Sequence, residues 1–201
     1  MKKHILLFIY AVFISIMTLV IHDARENVSP VIVDTPHESA AATATIEPVR
    51  RQQEPMYIDD VDLEPELQAW LFEYCGNRNL SGCLVLAIIE QESECDPDCI
   101  YITDNEESYG LMQIQPFWHQ ERMDRLGVTD ILDPKQNIVV GVDYLLELFG
   151  KSPEVEWVLN AFNGGEQHAD RMEEIGIVTD YALNIMNRAK ELEVKLYGDD
   201  G

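Results

Sequence analysis

Positive charge is scarce in this chain: 14 lysine and arginine residues stand against 37 aspartates and glutamates, a formal net charge of −23. Such a surface repels polyanions, which excludes recognition of nucleic acid through its phosphates. No glycine-rich phosphate loop and no nucleophile elbow is present. The five histidines, His4, His22, His37, His119 and His168, have no metal-ligand spacing, and the cysteines Cys75, Cys83, Cys95 and Cys99 contain no CxxC pair, which argues against zinc. Asp96, Asp98 and Asp104 lack the glycine of a calcium loop. Neither a metal nor an organic cofactor is expected. The four cysteines allow three disulfide pairings or a fully reduced state, and spacing does not choose among them.

Long hydrophobic runs are also few. The chain opens with Lys2 and Lys3, and residues 5–21 are apolar except for Ser15 and Thr18. As a helix this run spans about 25 Å, the short end of what crosses a bilayer. Basic residues before it and acidic residues after it place the remainder outside the cytoplasm. No small-x-small cleavage site follows directly, so residues 1–22 read as an uncleaved anchor in the cytoplasmic membrane; cleavage would make the product secreted. Residues 23–61 carry Ser29-Pro30, a small-residue run and Arg50-Arg51-Gln52-Gln53 without apolar period, and read as a flexible tether.

Residues 62–201 change to helical spacing. Pro65 starts a helix with Leu67, Trp70, Leu71 and Tyr74 expected inward. Ser81 caps a second, carrying Leu84, Val85, Ile88 and Ile89, stopped by Asp96-Pro97. Asp133-Pro134 opens a third, with Gln136 able to reach back and Ile138, Val142, Leu145, Leu146 and Phe149 inward, ended by Gly150. Ser152-Pro153 begins a helix that Gly164-Gly165 terminates, and Thr179 caps the last. No alternating run suits a sheet, apart from short ambiguous pieces near residues 100–103. The class is all-α.

On the second helix Val85, Ile88, Ile89 and Glu92 stand at i, i+3, i+4 and i+7, so Glu92 ends a core-facing stripe. Glu90 and Glu94 point elsewhere and read as solvated. A carboxyl at the rim of an apolar core loses hydration of its charged form, and its pKa rises towards the range a general acid needs. The bland alternative for Glu92 is a helix-end glutamate paired with a basic side chain.

The motifs then follow in order: Glu92-Ser93, Gly110-Leu111-Met112-Gln113-Ile114, Asp133-Pro134 with Asn137-Ile138 and Gly141, Tyr144-Leu145, Ala161-Phe162-Asn163-Gly164-Gly165, and Thr179-Asp180-Tyr181. In this arrangement the chain resembles the soluble lytic transglycosylase catalytic domain, family 1, of the goose-type lysozyme superfamily. The resemblance implies a lysozyme-like helical domain in which Glu92 is the sole acid/base, with Tyr181 holding it in position. It also implies a glycan groove lined by Ser93, Ser108, Gly110, Leu111, Met112, Gln113, Phe162 and Asn163, Gln113 offering its amide to acetamido groups. Phe162 stands where the family has tyrosine. Ser108 and Tyr109 stand where smaller residues are common.

The reaction so implied is cleavage of the MurNAc-(β1,4)-GlcNAc bond of peptidoglycan with formation of 1,6-anhydroMurNAc. Two readings compete: a hydrolytic lysozyme on the same fold, with Asp104, Glu106 or Glu107 placing a water, and an inactive membrane-tethered glycan-binding scaffold. The expected partners are glycan strands, the cytoplasmic membrane, and cell-wall, secretion or conjugation machinery.

Overall fold

A computed structural model describes residues 56–104 and 106–198. The expected anchor and most of the expected tether lie outside the described residues. Among the described residues no helix is long and apolar enough to cross a membrane. They form seven helices and one small sheet: α1 (Pro65–Gly76), α2 (Gly82–Ser93), β1 (Ile100–Ile102), β2 (Glu107–Tyr109), α3 (Pro116–Leu126), α4 (Pro134–Lys151), α5 (Val155–Gly164), α6 (Glu166–Ile175) and α7 (Asp180–Tyr197).

The packed unit begins before residue 62. Ile58 and Val61 are buried, and the buried side chain of Gln68 on α1 binds the segment from both of its ends. Its Oε1 accepts from the Ile58 amide at 2.9 Å, and its Nε2 donates to the Leu63 carbonyl at 2.7 Å. A buried amide satisfied in this way anchors residues that carry little apolar surface of their own.

The expected face of α1 is rotated by one residue. Gln68, Leu71, Phe72 and Cys75 are buried, whereas Leu67, Trp70 and Tyr74 are half-buried at the margin. There Trp70 stacks on Tyr74, and the Arg78 guanidinium covers the Tyr74 ring at 3.5 Å. Both stripes have helical period, and the aromatic one lost because α1 met the core on its Gln68 side.

Helix α2 is the axis of the domain. Ser81 caps it by accepting from the Leu84 amide, every residue from Cys83 to Ile89 is buried, and Glu94 ends it in the left-handed region at φ 53°. A helix apolar on all sides has to be enclosed. It runs alongside α7, with α1 on another side. Each fully buried leucine, isoleucine or methionine here contributes about 1.5–3 kcal/mol of burial free energy.

The ambiguous pieces after residue 99 form an antiparallel hairpin pairing Ile100 with Tyr109, Tyr101 with Ser108 and Ile102 with Glu107. Two further helices, α3 and α6, escaped the sequence reading: α3 buries no residue and α6 only Ala169. Their ends are nonetheless punctuated, by Pro116 and Gly127 for α3 and by Gly165 and Gly176 for α6. Helix α4 is capped by Asp133, which accepts from the Gln136 amide at 2.9 Å, and it continues through Gly150 to Lys151. The Gln136 side chain does not reach back to the cap. It accepts instead from the Thr129 and Asp130 amides and ties down the preceding loop.

Candidate active site

Glu92 lies in the last turn of α2, half-buried above the apolar stripe. Burial raises its pKa above the ordinary carboxylate range; the Tyr181 hydroxyl, which donates to Glu92 Oε1, works in the opposite direction by stabilising the charged form. Burial outweighs the hydrogen bond. The phenol is itself raised by burial and by the adjacent carboxylate, so it remains a donor.

Tyr181 is delivered by the start of α7. Thr179 Oγ1 accepts from the Ala182 amide at 3.2 Å and donates to Asn160 Oδ1 at 2.5 Å, pinning the helix N-terminus to α5. Asn160 is buried within the run Val158-Leu159-Asn160-Ala161. A polar residue amid buried apolar ones was the available signal for it, and it escaped the sequence reading.

Ser93 joins α2 to the Gly110 segment. Its hydroxyl lies 3.1 Å from the Ile89 carbonyl and 2.9 Å from the Leu111 carbonyl, and the second contact crosses to the neighbouring chain segment. Leu111 and Met112 are fully buried. They anchor the segment in the core and do not line a groove. A Cβ on Gly141 would stand 2.3 Å from Met112 Sδ, so the glycine of α4 makes room for that anchor.

Ser108 and Gln113 are likewise committed internally. Gln113 Oε1 accepts from Ser108 Oγ at 2.7 Å, while its Nε2 donates to the Gly110 carbonyl at 2.9 Å and to the Cys99 carbonyl at 3.2 Å. The amide that was expected to hold acetamido groups is spent on closing the turn. Gln113 sits at φ 45°, a left-handed conformation that costs a non-glycine residue of order 1–3 kcal/mol. Those bonds over-determine it.

The residue that organises this segment is Asn137 of α4, fully buried and missed as a site residue although it stood in the motif. Its Oδ1 accepts from the Met112 amide at 2.8 Å, and its Nδ2 donates to the carbonyls of Tyr109 at 2.8 Å and Ile131 at 2.9 Å. Gly110, at φ 71°, passes so close that a Cβ would lie 2.5 Å from Asn137 Nδ2.

Phe162 and Asn163 close α5. Phe162 is half-buried against Tyr144, ring centroids 5.6 Å apart, and Tyr144 in turn packs on His119 at 4.7 Å. The Tyr144 hydroxyl donates to the Ala161 carbonyl at 3.3 Å, so the tyrosine of α4 supplies a hydroxyl at the α5 end, where Phe162 has none. Burial lowers the His119 pKa to about 4, keeping it neutral. Asn163 is exposed. Neither Phe162 nor Asn163 hydrogen-bonds Glu92; the link from α5 to Glu92 runs through Asn160, Thr179 and Tyr181.

Glu90, expected to be solvated, is paired: Arg188 of α7 donates to both of its carboxylate oxygens, at 2.7 and 2.8 Å. Glu94 is exposed, as are Asp104, Glu106 and Glu107 on the hairpin, where Glu107 accepts from the Tyr109 hydroxyl at 3.0 Å. All four cysteines are free thiols, and burial pushes the Cys75, Cys83 and Cys95 pKa values up to about 12, 11 and 12.

Residues 71–176 match the transglycosylase SLT domain, more than half of the chain. The match ends before Tyr181. A transglycosylase of Enterobacteria phage PRD1 is 34% identical over 92 residues, covering 46% of this chain and 32% of the phage protein. A membrane-bound lytic murein transglycosylase F of Methylobacillus flagellatus is 33% identical over 113 residues, covering 53% of this chain and 22% of its own length. The chain thus spans about a third or less of these relatives. The fold is similar to that of an inactive mutant of the lytic transglycosylase Slt from Pseudomonas aeruginosa, with a TM-score of 0.56 at 22% identity over 65% of this chain and 24% of that one.

Proposed function

This chain belongs to the transglycosylase SLT domain family, and from that premise we propose that it is a peptidoglycan lytic transglycosylase with Glu92 as its acid/base. One observation carries the proposal: a half-buried glutamate, its pKa raised by burial, receives the hydroxyl of a tyrosine from another helix. Protonated Glu92 gives its proton to the glycosidic oxygen between MurNAc and GlcNAc as the C1–O4 bond breaks. The resulting carboxylate takes the proton of the muramoyl C6 hydroxyl as that oxygen bonds to C1. The 1,6-anhydro ring closes, Glu92 regains its proton, and no water is consumed.

A carboxyl that serves as acid and then as base needs a pKa near the working pH, and burial moves Glu92 in that direction. Tyr181 stabilises the intermediate carboxylate and holds its orientation. An ordinary glycosidase uses two flanking carboxyl groups. Among the described residues Glu92 has Tyr181, not a second carboxylate, as its hydrogen-bond partner. The exposed Asn163 remains available to substrate, whereas the buried Ser108, Gly110, Leu111 and Met112, with Gln113, support the wall from behind.

The muropeptides released from purified sacculi decide the reaction by mass spectrometry. Anhydromuramoyl ends are expected. Reducing ends would establish a hydrolytic lysozyme instead, and binding without release would establish a glycan-binding scaffold. For its setting, we propose that residues 1–22 anchor the domain on the outer side of the cytoplasmic membrane, in keeping with a relative described as membrane-bound. There it opens the wall for growth, or for a secretion or conjugation apparatus.

A further inference from the structure

Helices α2 and α7 lie antiparallel and are tied at three levels. Ser81 Oγ is 3.1 Å from Glu193 Oε1 at one end, Arg188 grips Glu90 further along, and Tyr181 meets Glu92 at the other end. Tyr181 and Arg188 are seven residues apart, so they share a face of α7 about two turns or roughly 10 Å apart. Glu90 and Glu92 lie within one turn of each other on α2.

The Arg188 contact differs from an ordinary surface ion pair. Its Nε and Nη2 donate in parallel to Glu90 Oε2 and Oε1 at 2.7 and 2.8 Å, Nη1 donates to Glu191 Oε2 at 3.3 Å, and both Arg188 and Glu90 are largely shielded from solvent. Single-contact exposed pairs hold no geometry, whereas a planar fork on a carboxylate fixes both distance and orientation. The Asn160–Thr179 contact pins the start of α7, and the buried stripe Ala182, Ile185, Ala189 and Leu192 turns its apolar face to the core. Apolar packing is non-directional, and the bidentate pair two turns beyond Tyr181 adds a directional polar attachment that fixes the remaining rotation and slide.

Building on the reading of Glu92 as acid/base, we propose that Glu90 and Arg188 are positioning residues whose bidentate pair sets the rotation and slide of α7 that seat the Tyr181 hydroxyl on Glu92. Neither touches substrate. Their effect on the reaction passes through Tyr181.

The titratable groups that act on Glu92 or feel its charge are Tyr181 on α7 and the Cys99 thiol at the foot of the hairpin, which also feels the charges of Asp96 and Glu94. The test is the titration of Glu92, followed by NMR in protein carrying carboxyl-labelled glutamate, for the wild type, Glu90→Gln, Arg188→Gln and the double variant. Positioning predicts that both single variants move the Glu92 titration upward, because both release the hydroxyl that lowers it. Direct electrostatics predicts opposite signs: loss of the arginine cation raises a carboxyl pKa, and loss of the glutamate anion lowers it. Opposite shifts, or none, overturn the proposal.

The double variant should match either single one, since one pair is broken in each case. Arg188→Lys retains the charge without the fork; it should shift Glu92 in the same upward direction, and it supplies the readout if Arg188→Gln does not fold. On sacculi, kcat should fall about tenfold or more with KM nearly unchanged, within the cost of a 1 Å misplacement. Because the titration needs no substrate, wild-type protein that releases nothing from sacculi would sink the transglycosylase reading while the NMR pattern still decides the positioning role.

Discussion

The Tyr181 hydroxyl donates to Glu92 Oε1 across 89 residues of chain, joining the start of the last helix to the end of the second. This bond stabilises the carboxylate in a place where burial disfavours it. Tyr181→Phe removes the bond and no ring volume. The Glu92 pKa should rise further, so the alkaline limb of the kcat/KM profile on sacculi should move upward. Stability should fall by about 1 kcal/mol, the usual net worth of one hydrogen bond. An unmoved pH profile beside a large loss of melting temperature would make Tyr181 a packing residue only.

Glu92→Gln should lose at least about 10²-fold in turnover, the lower bound for a positioned acid/base, because an amide cannot donate and recover the proton. It should also stabilise the fold above acidic pH. The folded pKa of Glu92 lies above its unfolded value, so its contribution is fully present below the unfolded pKa and is lost as pH rises through the folded one. The neutral amide avoids that loss. Thermal melts of the two proteins at pH 4 and pH 8 should show the variant's advantage growing with pH; a constant difference would contradict the raised pKa.

Gly110 and Asn137 form a coupled pair. Asn137→Ala strands the Met112 amide and the carbonyls of Tyr109 and Ile131, at about 1–3 kcal/mol for each group left unsatisfied. Gly110→Ala suffers both from φ 71° and from the approach to Asn137. Urea denaturation should find Gly110→Ala less costly in the Asn137→Ala background than alone, by about 0.5 kcal/mol or more. Simple additivity would mean that backbone strain, not the close approach, governs the glycine.

Cys75, Cys83 and Cys95 should resist alkylation by iodoacetamide at pH 8 in the native protein, because the thiolate is the reactive form and burial suppresses it. Cys99, only partly buried, should label first. Intact-mass measurement with and without urea separates the two classes. Four masses of label on native protein, or a disulfide mass without reductant, would refute the arrangement.

Caps, helix periods and turns were legible because they depend on neighbours along the chain. Ser81, Asp133 and Thr179 each bind an amide three residues ahead, and Gly164-Gly165 ends α5 where small residues free the backbone. Helices α3 and α6 were not read from the sequence, since they are mostly polar and bury almost nothing, so their few apolar residues stand out little from the charged ones around them. Glu92 stood out by its stripe, and the ordered motifs connected it with Tyr181.

What the sequence by itself determined is a helical domain of one family with a glutamate at the rim of its central helix. Tertiary structure alone decided which face of α1 turns inward, that Gln113 closes its own turn, and that Asn137, Asn160 and Arg188 hold the pieces together. The physical reason is common to all of them. A buried or clamped polar group is defined by the partner that satisfies it, and for Arg188 and Glu90 that partner lies 98 residues away. No local pattern records such a pairing until packing brings the two helices side by side.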